Sequence, residues 1–406
     1  MISRVAYLSL HTSPLAQPGS GDAGGMNVYI DELARTMAGR GIEVDVFTRA
    51  TDPALPPVVQ VADGYQVIHI AAGPMMPVPV AQLTDSVFEF AESVIDWAAA
   101  RQRTYDLVHS HYWLSGWAGL LVKRILRIPL ANSFHTLGRV KDATRRPGEP
   151  PSRLVRIAAE HEVIAGSDCV IASTPFEGED LLEHYGADPT RLCVSPPGLN
   201  HELFSPGNRF EARQGLGLDP DAPVVLFVGR IQALKGVDVA VEAFAGVAAA
   251  MPDAEMVVIG GPSGPNGQDE VDAVRKRVTD LGLASRVRFP GPVPHPELVS
   301  YYRASSVVVF PSRSESFGLV AAEAQACGIP VVAARAGGLL YAVSDGKSGV
   351  LVEGWDPLDY RDALLRILTD AEFASRLADG AVAFAEQFSW DVTAGRLLEL
   401  YAGITR

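Results

Sequence analysis

Cysteine is scarce in this 406-residue chain, and the three present, Cys169, Cys193 and Cys327, fall at no CxxC or metal-ligand spacing. That argues against a disulfide framework or a cysteine-built metal site and suits a reducing, cytoplasmic setting. Cations are also in deficit: 34 Lys and Arg against 48 Asp and Glu leave a net charge of -14. Sequence-independent nucleic-acid binding needs Lys and Arg to displace phosphate counterions, so no nucleic-acid partner is expected. A local basic pocket for a phosphorylated ligand is compatible with that balance. No apolar run approaches 18 residues, so no membrane span is expected. Arg4–Leu10 is too short for a secretory core, with His11 and Pro14 close behind it. Repeats and low-complexity tracts are missing as well.

What the chain does contain is a rhythm. The short apolar runs Val5–Leu10, Glu43–Thr48, Gln66–Ala71, Leu107–His109, Leu130–Phe134 and Cys169–Ser173 read as strands. Stretches at helical spacing, such as Tyr29–Gly39 and Thr84–Arg101, lie between them. This βαβα alternation predicts a mostly parallel sheet covered on both faces. Pro and Gly then crowd residues 196–223. The rhythm restarts with Val224–Gly229, Glu255–Ile259, Val287–Phe289, Val307–Phe310, Val331–Ala334 and Gly349–Leu351. One hydrophobic core seldom serves a chain this long. Two Rossmann-like domains, 1–206 and 207–385, are therefore expected, with a last helix in 386–406 packing back on the first. Arg145–Pro151 reads as a mobile loop.

The most informative segment is Ser314–Pro330. Glu315 sits in a Ser/Gly loop and Glu323 eight positions further on, on the helix that follows, with apolar strands entering and leaving. Ligands of open α/β sheets bind beyond the carboxyl ends of strands, where loop amides and helix N-termini converge. Glu315 can meet the reactive end of a nucleotide-linked ligand there, and Glu323 can accept two ribose hydroxyls. On chemistry alone the alternative is a buried helix with one acid favoured by its dipole. Arg230 and Lys235 flank a loop after another strand and suit a clamp on a diphosphate. Gly260–Gly264 and Ala336–Leu339 supply close-approach loops in the same half. In the first half Gly19–Asn27 is a glycine loop ahead of a helix, not read as a nicotinamide fingerprint. His109 and His111 lack further ligands for zinc, so no metal site is expected. His135 can donate to a substrate hydroxyl or serve the fold.

Taken together, Gly24-Gly25-Met26-Asn27, Gly229-Arg230 with Lys235-Gly236, and the Glu pair within ESFGLVAAEAQACGIPVVA resemble the retaining glycosyltransferases of family 4. The resemblance covers nearly the whole chain and implies the GT-B fold, with two doubly wound parallel-sheet domains facing a central cleft. HTSPLAQPGSGDAGGMNVYI, EVDVFTRAT, DLVHSHYWLSG and FHTLGRVK are similar, within that family, to an actinobacterial branch of mycothiol synthesis. That branch moves N-acetylglucosamine from UDP-GlcNAc to 1D-myo-inositol 3-phosphate. The resemblance implies that Arg230 and Lys235 bind the UDP diphosphate, Glu323 the ribose, and that Glu315 sits by the donor sugar. Gly25, Phe317, Gly318 and Leu319 complete that donor site, and the backbone of Val293 lies against the uracil. Asn27, Tyr112, Thr136 and Arg156 line the acceptor site, the last three around its phosphate, and His135 stands close to the reacting centre. No cofactor is required; Mg2+ is compatible with this chemistry but has no identified protein site. A homodimer is implied by the relatives.

Two departures stand out. The resembled branch has a Lys in a GPYEGLxKEEL-like stretch to bind the inositol phosphate. Here the stretch is Gly73-Pro74-Met75-Met76-Pro77-Val78-Pro79-Val80-Ala81-Gln82-Leu83, with no cation. Arg139, Lys141 or the Arg145/Arg146 pair are candidates to compensate. Otherwise the acceptor is another cyclitol, aminocyclitol or sugar. The second departure is Leu340-Tyr341, where Pro and an aliphatic residue are usual. A non-catalytic nucleotide-sugar-binding protein is the alternative from another class, and a nicotinamide dehydrogenase is disfavoured by a Glu pair in the wrong half.

Overall fold

The computed structural model describes residues 2–146, 149–264 and 267–405. Fourteen strands fall into two sheets. The first contains β1 (Arg4–Leu8), β2 (Glu43–Arg49), β3 (Val58–Ala62), β4 (Tyr65–Ile70), β5 (Leu107–His111), β6 (Leu130–Ser133), β7 (Cys169–Ala172) and β8 (Leu192–Val194). The second contains β9 (Val224–Val228), β10 (Glu255–Ile259), β11 (Val287–Gly291), β12 (Val307–Phe310), β13 (Val331–Ala334) and β14 (Gly349–Val352). Each run read as a strand from the sequence is one. The spatial orders are β3-β4-β2-β1-β5-β6-β7-β8 and β11-β10-β9-β12-β13-β14.

Every pairing is parallel except β3 with β4. Parallel strands are covered on both faces, which is why β9, β12 and β13 are continuous Val, Leu, Phe and Ala runs, buried throughout. The two strands the pattern did not mark, β3 and β8, are edge strands with only partial burial. In each sheet the chain winds outward from a central strand and then returns to its other side, at β1/β5 and at β9/β12. Those two switch points are where doubly wound sheets bind ligands.

The last helix, Trp390–Ile404, lies against the first sheet. Trp390, Ala394, Leu397 and Tyr401 join Tyr7, Tyr29 and Ile30 in one core cluster. Thr393 Oγ1 donates to the Pro196 carbonyl at 2.8 Å. Gly198 is required at this crossing, since a Cβ on it would stand 2.1 Å from the Trp390 nitrogen. Of the loop Arg145–Pro151, Pro147 and Gly148 lie outside the described residues; Arg146 pairs with Asp238 (3.2 Å) and Glu270 (2.5 Å) of the second half. No described helix is long and apolar enough to cross a membrane.

Candidate active site

Loops from both switch points meet in one cleft of about 390 Å³, a size suited to a small-molecule ligand. The halves touch across it: Ser316 Oγ donates to the His135 carbonyl at 2.6 Å, and the Gly261 N–H donates to the Gly19 carbonyl at 2.9 Å. On the second half's wall stand Arg230 and Lys235 after β9, and Glu315, Phe317, Gly318 and Leu319 after β12. Val293 and Glu323 complete that wall. Opposite them stand Gly25, Tyr112, His135 and Thr136. The chain thus brings residues 25 to 323 to one place because most of them follow the carboxyl end of a parallel strand or open the helix behind it, with Glu323 one turn into the helix Leu319–Ala326.

The second wall is held by charge. Lys235 Nζ forms an ion pair with Glu315 Oε1, and Ser312 Oγ donates to the same oxygen at 2.8 Å. Arg230 Nη1 reaches Ser263 Oγ at 3.2 Å. Glu323 is buried, and both its oxygens are engaged: His295 Nε2 is 2.7 Å from Oε1, and the Tyr302 hydroxyl donates to Oε2 at 2.8 Å. A carboxylate oxygen has a second lone pair, so this leaves acceptor capacity for ribose hydroxyls. Neither His295 nor Tyr302 carries a sequence signal, since both acquire meaning only by packing on that helix. The glycines read as close-approach positions approach protein backbone. A Cβ on Gly260 would sit 1.9 Å from the Gly229 carbonyl, and one on Gly338 would sit 2.2 Å from the Ser316 carbonyl. Tyr341, one of the two departures, rests in an aromatic cluster with Phe317 and Phe388.

His295 gives this wall a pH signature. Burial acts to lower its pKa, but the Glu323 carboxylate raises it by charge and hydrogen bond, with Glu32 and Asp31 adding, and the net direction is upward. A raised histidine contributes stability that is complete below its unfolded value near 6.5 and is lost as pH rises through the folded value. Melting temperature should therefore decline above neutral pH in the wild type, and Glu323→Gln should flatten that decline. An equal decline in the variant would show that the pair does not cause it.

The first wall is held by strain and buried polar contacts. Tyr112 has φ 76°, ψ 160° and His135 has φ 59°, conformations that L side chains rarely adopt. Such strain costs on the order of 1–3 kcal/mol per residue and collects at ligand sites. Two such residues ending the neighbouring strands β5 and β6 mark this as a functional wall, a signal that side-chain identity alone does not carry. The Arg156 guanidinium lies 5.3 Å from the Tyr112 ring centroid, donates to the Thr136 carbonyl (3.0 Å) and pairs with buried Glu160 (2.7 Å). His135 Nε2 lies 3.0 Å from His111 Nδ1, and burial lowers the His135 pKa to about 3, so the ring is neutral. His11 is likewise lowered to about 3, by burial and then by Arg230, His135 and Arg156. His109 is a core residue, bonded to the Tyr401 hydroxyl (2.6 Å) and Ser133 (3.0 Å).

Two placements differ from the sequence reading. Asn27 does not line the cleft. It is buried behind it, accepting from the Gly24 N–H (2.8 Å) and donating to Thr12 (2.8 Å) and the Ser13 carbonyl (2.6 Å), so its amide fixes the glycine loop. Arg156 also stands behind the wall, reaching it through Tyr112 and Thr136. Gly19, Gly21 and Gly24 fall at the GxGxxG intervals of a dinucleotide-binding loop. They lie in a long excursion between Leu8 and Gly25. A dinucleotide site needs a tight turn straight into the helix. Among the described residues no group of three or more His, Cys, Asp or Glu is placed to hold a metal ion.

This architecture, two doubly wound sheets with charged strand-end loops meeting in a cleft, is that of a GT-B glycosyltransferase. Residues 24–198 match the glycosyl transferase 4-like domain and residues 208–383 the glycosyl transferases group 1 family. The D-inositol 3-phosphate glycosyltransferase of Thermomonospora curvata is 48% identical over 413 residues, spanning 99% of this chain and 96% of that protein. Its namesake in Corynebacterium glutamicum is 45% identical, spanning 98% and 96%. Among solved structures, sucrose-phosphate synthase from Thermosynechococcus elongatus superposes with a TM-score of 0.91 at 33% identity, over 99% of this chain and 98% of that one. Anabaena HepE, solved with UDP and glucose, shares the fold at 21% identity and a TM-score of 0.78, over 99% of this chain and 100% of that one. The chain belongs to the D-inositol 3-phosphate glycosyltransferase branch of the group 1 and 4-like glycosyltransferase family.

Proposed function

We propose that the protein transfers N-acetylglucosamine from UDP-GlcNAc to 1D-myo-inositol 3-phosphate with retention at the anomeric carbon. The observation that carries this is the pairing of Lys235 with Glu315 beside Arg230, directly opposite Tyr112, Thr136 and His135. The names of the curated relatives supply the acceptor. In this reading the donor diphosphate lies against Arg230 and Lys235, and its arrival draws the Lys235 ammonium from Glu315 toward phosphate. Glu323 accepts the ribose hydroxyls, Val293 faces the base, and Gly25, Phe317, Gly318 and Leu319 enclose the rest of the donor.

The reaction breaks the bond between the sugar's anomeric carbon and the diphosphate oxygen and forms one to the acceptor hydroxyl oxygen on the same face. The acceptor proton passes to the departing phosphate oxygen. No protein nucleophile is needed, so the chain's contribution is positioning and charge stabilisation. Arg230 and Lys235 stabilise the charge that develops on UDP, and neutral His135 offers a polar contact near the reacting hydroxyl. Transfer to another cyclitol is a second reading, favoured by Val80. It stands where the resembled motif has its Lys and presents an apolar side chain to the cleft.

An acceptor panel tests the assignment. UDP release from UDP-GlcNAc is measured with inositol 3-phosphate, free inositol and aminocyclitols. The expected result is release that depends on inositol 3-phosphate. Release with free inositol alone would shift the assignment to the second reading, and no acceptor-dependent release would refute transfer. A homodimer working in the cytoplasm belongs to the same proposal, and light scattering checks the assembly.

A further inference from the structure

The loop Gly73–Leu83 supplies no cation to the cleft, and it is fastened in place: Arg49 donates to the Pro74 carbonyl (2.6 Å) and the Met76 carbonyl (3.0 Å). The other basic residues nearby are committed elsewhere. Arg139 is 3.3 Å from His161, Arg145 donates to the Glu149 carbonyl (3.1 Å), and Arg146 pairs with Asp238 and Glu270. Lys141 is different. It lies on the helix Gly138–Thr144 and lines the cleft with Tyr112 and Thr136. Among the described residues, lysine ion pairs are made by Lys123, Lys235 and Lys276, and Lys141 makes none.

Its surroundings are short of negative charge. Burial, followed by Arg156, Arg230 and Lys235, lowers the Lys141 pKa to about 8, with Asp142 opposing. A half-buried ammonium that makes no ion pair of its own and stands among three cations, two of them already paired with Glu315 and Glu160 and with Asp142 alone opposing, makes a concave site that favours a further anion. In the proposed reading Arg230 and Lys235 are occupied by the donor diphosphate. The second anion to be accommodated is then on the acceptor, beside Tyr112 and Thr136.

We infer that Lys141 takes the role of the Lys missing at Val80 and, with Tyr112 and Thr136, holds the phosphate of a phosphorylated cyclitol acceptor. This inference rests on the glycosyl-transfer reading above and adds the specificity-determining cation to it. A charge-assisted hydrogen bond to phosphate corresponds to about a ten- to hundred-fold change in affinity.

The test is calorimetric and kinetic, on the full chain saturated with UDP. Binding of inositol 3-phosphate is compared in wild type, Lys141→Gln and Lys141→Arg, and UDP affinity is measured separately. The expected result is a ten- to hundred-fold weaker acceptor Kd in Lys141→Gln, substantial rescue in Lys141→Arg, and an unchanged UDP Kd. Acceptor KM in the wild type should also rise above about pH 8 as the amine deprotonates, and Lys141→Arg should abolish that rise. The phosphate, with a second pKa near 6, is already fully ionised there. Equal acceptor binding in Lys141→Gln, or a loss confined to UDP, would overturn the assignment of Lys141 while wild-type turnover left glycosyl transfer standing. A wild type that neither binds nor glycosylates any phosphorylated acceptor would overturn both.

Discussion

Arg230→Ala should lower kcat by about 10²–10³-fold, the usual consequence of removing one preorganised group from developing charge. Melting temperature should move little, because the side chain is part-exposed and, among the described residues, its one hydrogen bond is to Ser263 at 3.2 Å. The contrast with Lys235→Ala is informative. That change also strands Glu315, whose side chain is only 13% exposed, beside Ser312. It should therefore lower both turnover and stability, since an unpaired buried carboxylate is costly. Initial rates with UDP-GlcNAc and thermal melts of the two variants separate the effects. Turnover in Arg230→Ala within a few-fold of wild type, with the fold intact, would refute its place at the leaving group.

Gly338→Ala should damage the donor wall through a single methyl. The added Cβ would meet the Ser316 carbonyl at 2.2 Å and the Phe317 Cα at 2.5 Å, and both are backbone that cannot rotate away. The Gly338 N–H also donates to the Glu315 carbonyl at 2.7 Å, so any displacement moves the segment that carries Glu315. Overpacking costs typically 1–3 kcal/mol, and a rigid neighbour puts this case at about 3. A shift of about 1 Å in a positioning loop can cost roughly 10²-fold in rate. Gly403→Ala is the control, with nothing within 4 Å of the added carbon. Wild-type melting and turnover in Gly338→Ala would mean that the turn does not brace the loop.

Both results depend on features that differ greatly in how visible they are in the sequence. The strands of the second sheet were legible because burial on both faces demands unbroken apolar runs such as Val224–Val228 and Val307–Phe310. The edge strands β3 and β8 were not, since half-buried or three-residue strands need no such run. Arg230, Lys235 and Glu315 were legible as polar residues in the loops after apolar strands, and Glu323 as the acid on the helix that follows. What each touches was not. Lys235 and Glu315 are 80 positions apart, and His295 reaches Glu323 across 28. The same holds for Asn27: an amide two residues past a Gly-Gly pair looks available for substrate, and only the fold shows it holding Thr12, Ser13 and Gly24. The strained backbones of Tyr112 and His135 stand just beyond the paired strands β5 and β6, a property of the assembled sheet.

The central claim is that one cleft binds the nucleotide sugar against Arg230, Lys235 and Glu323. A crystal structure of the UDP complex tests it most directly. The expected density places the diphosphate within hydrogen-bond distance of Arg230 and Lys235 and the ribose hydroxyls on Glu323, with Lys235 turned from Glu315. UDP bound elsewhere, or in the cleft with its diphosphate away from both cations, would contradict the account.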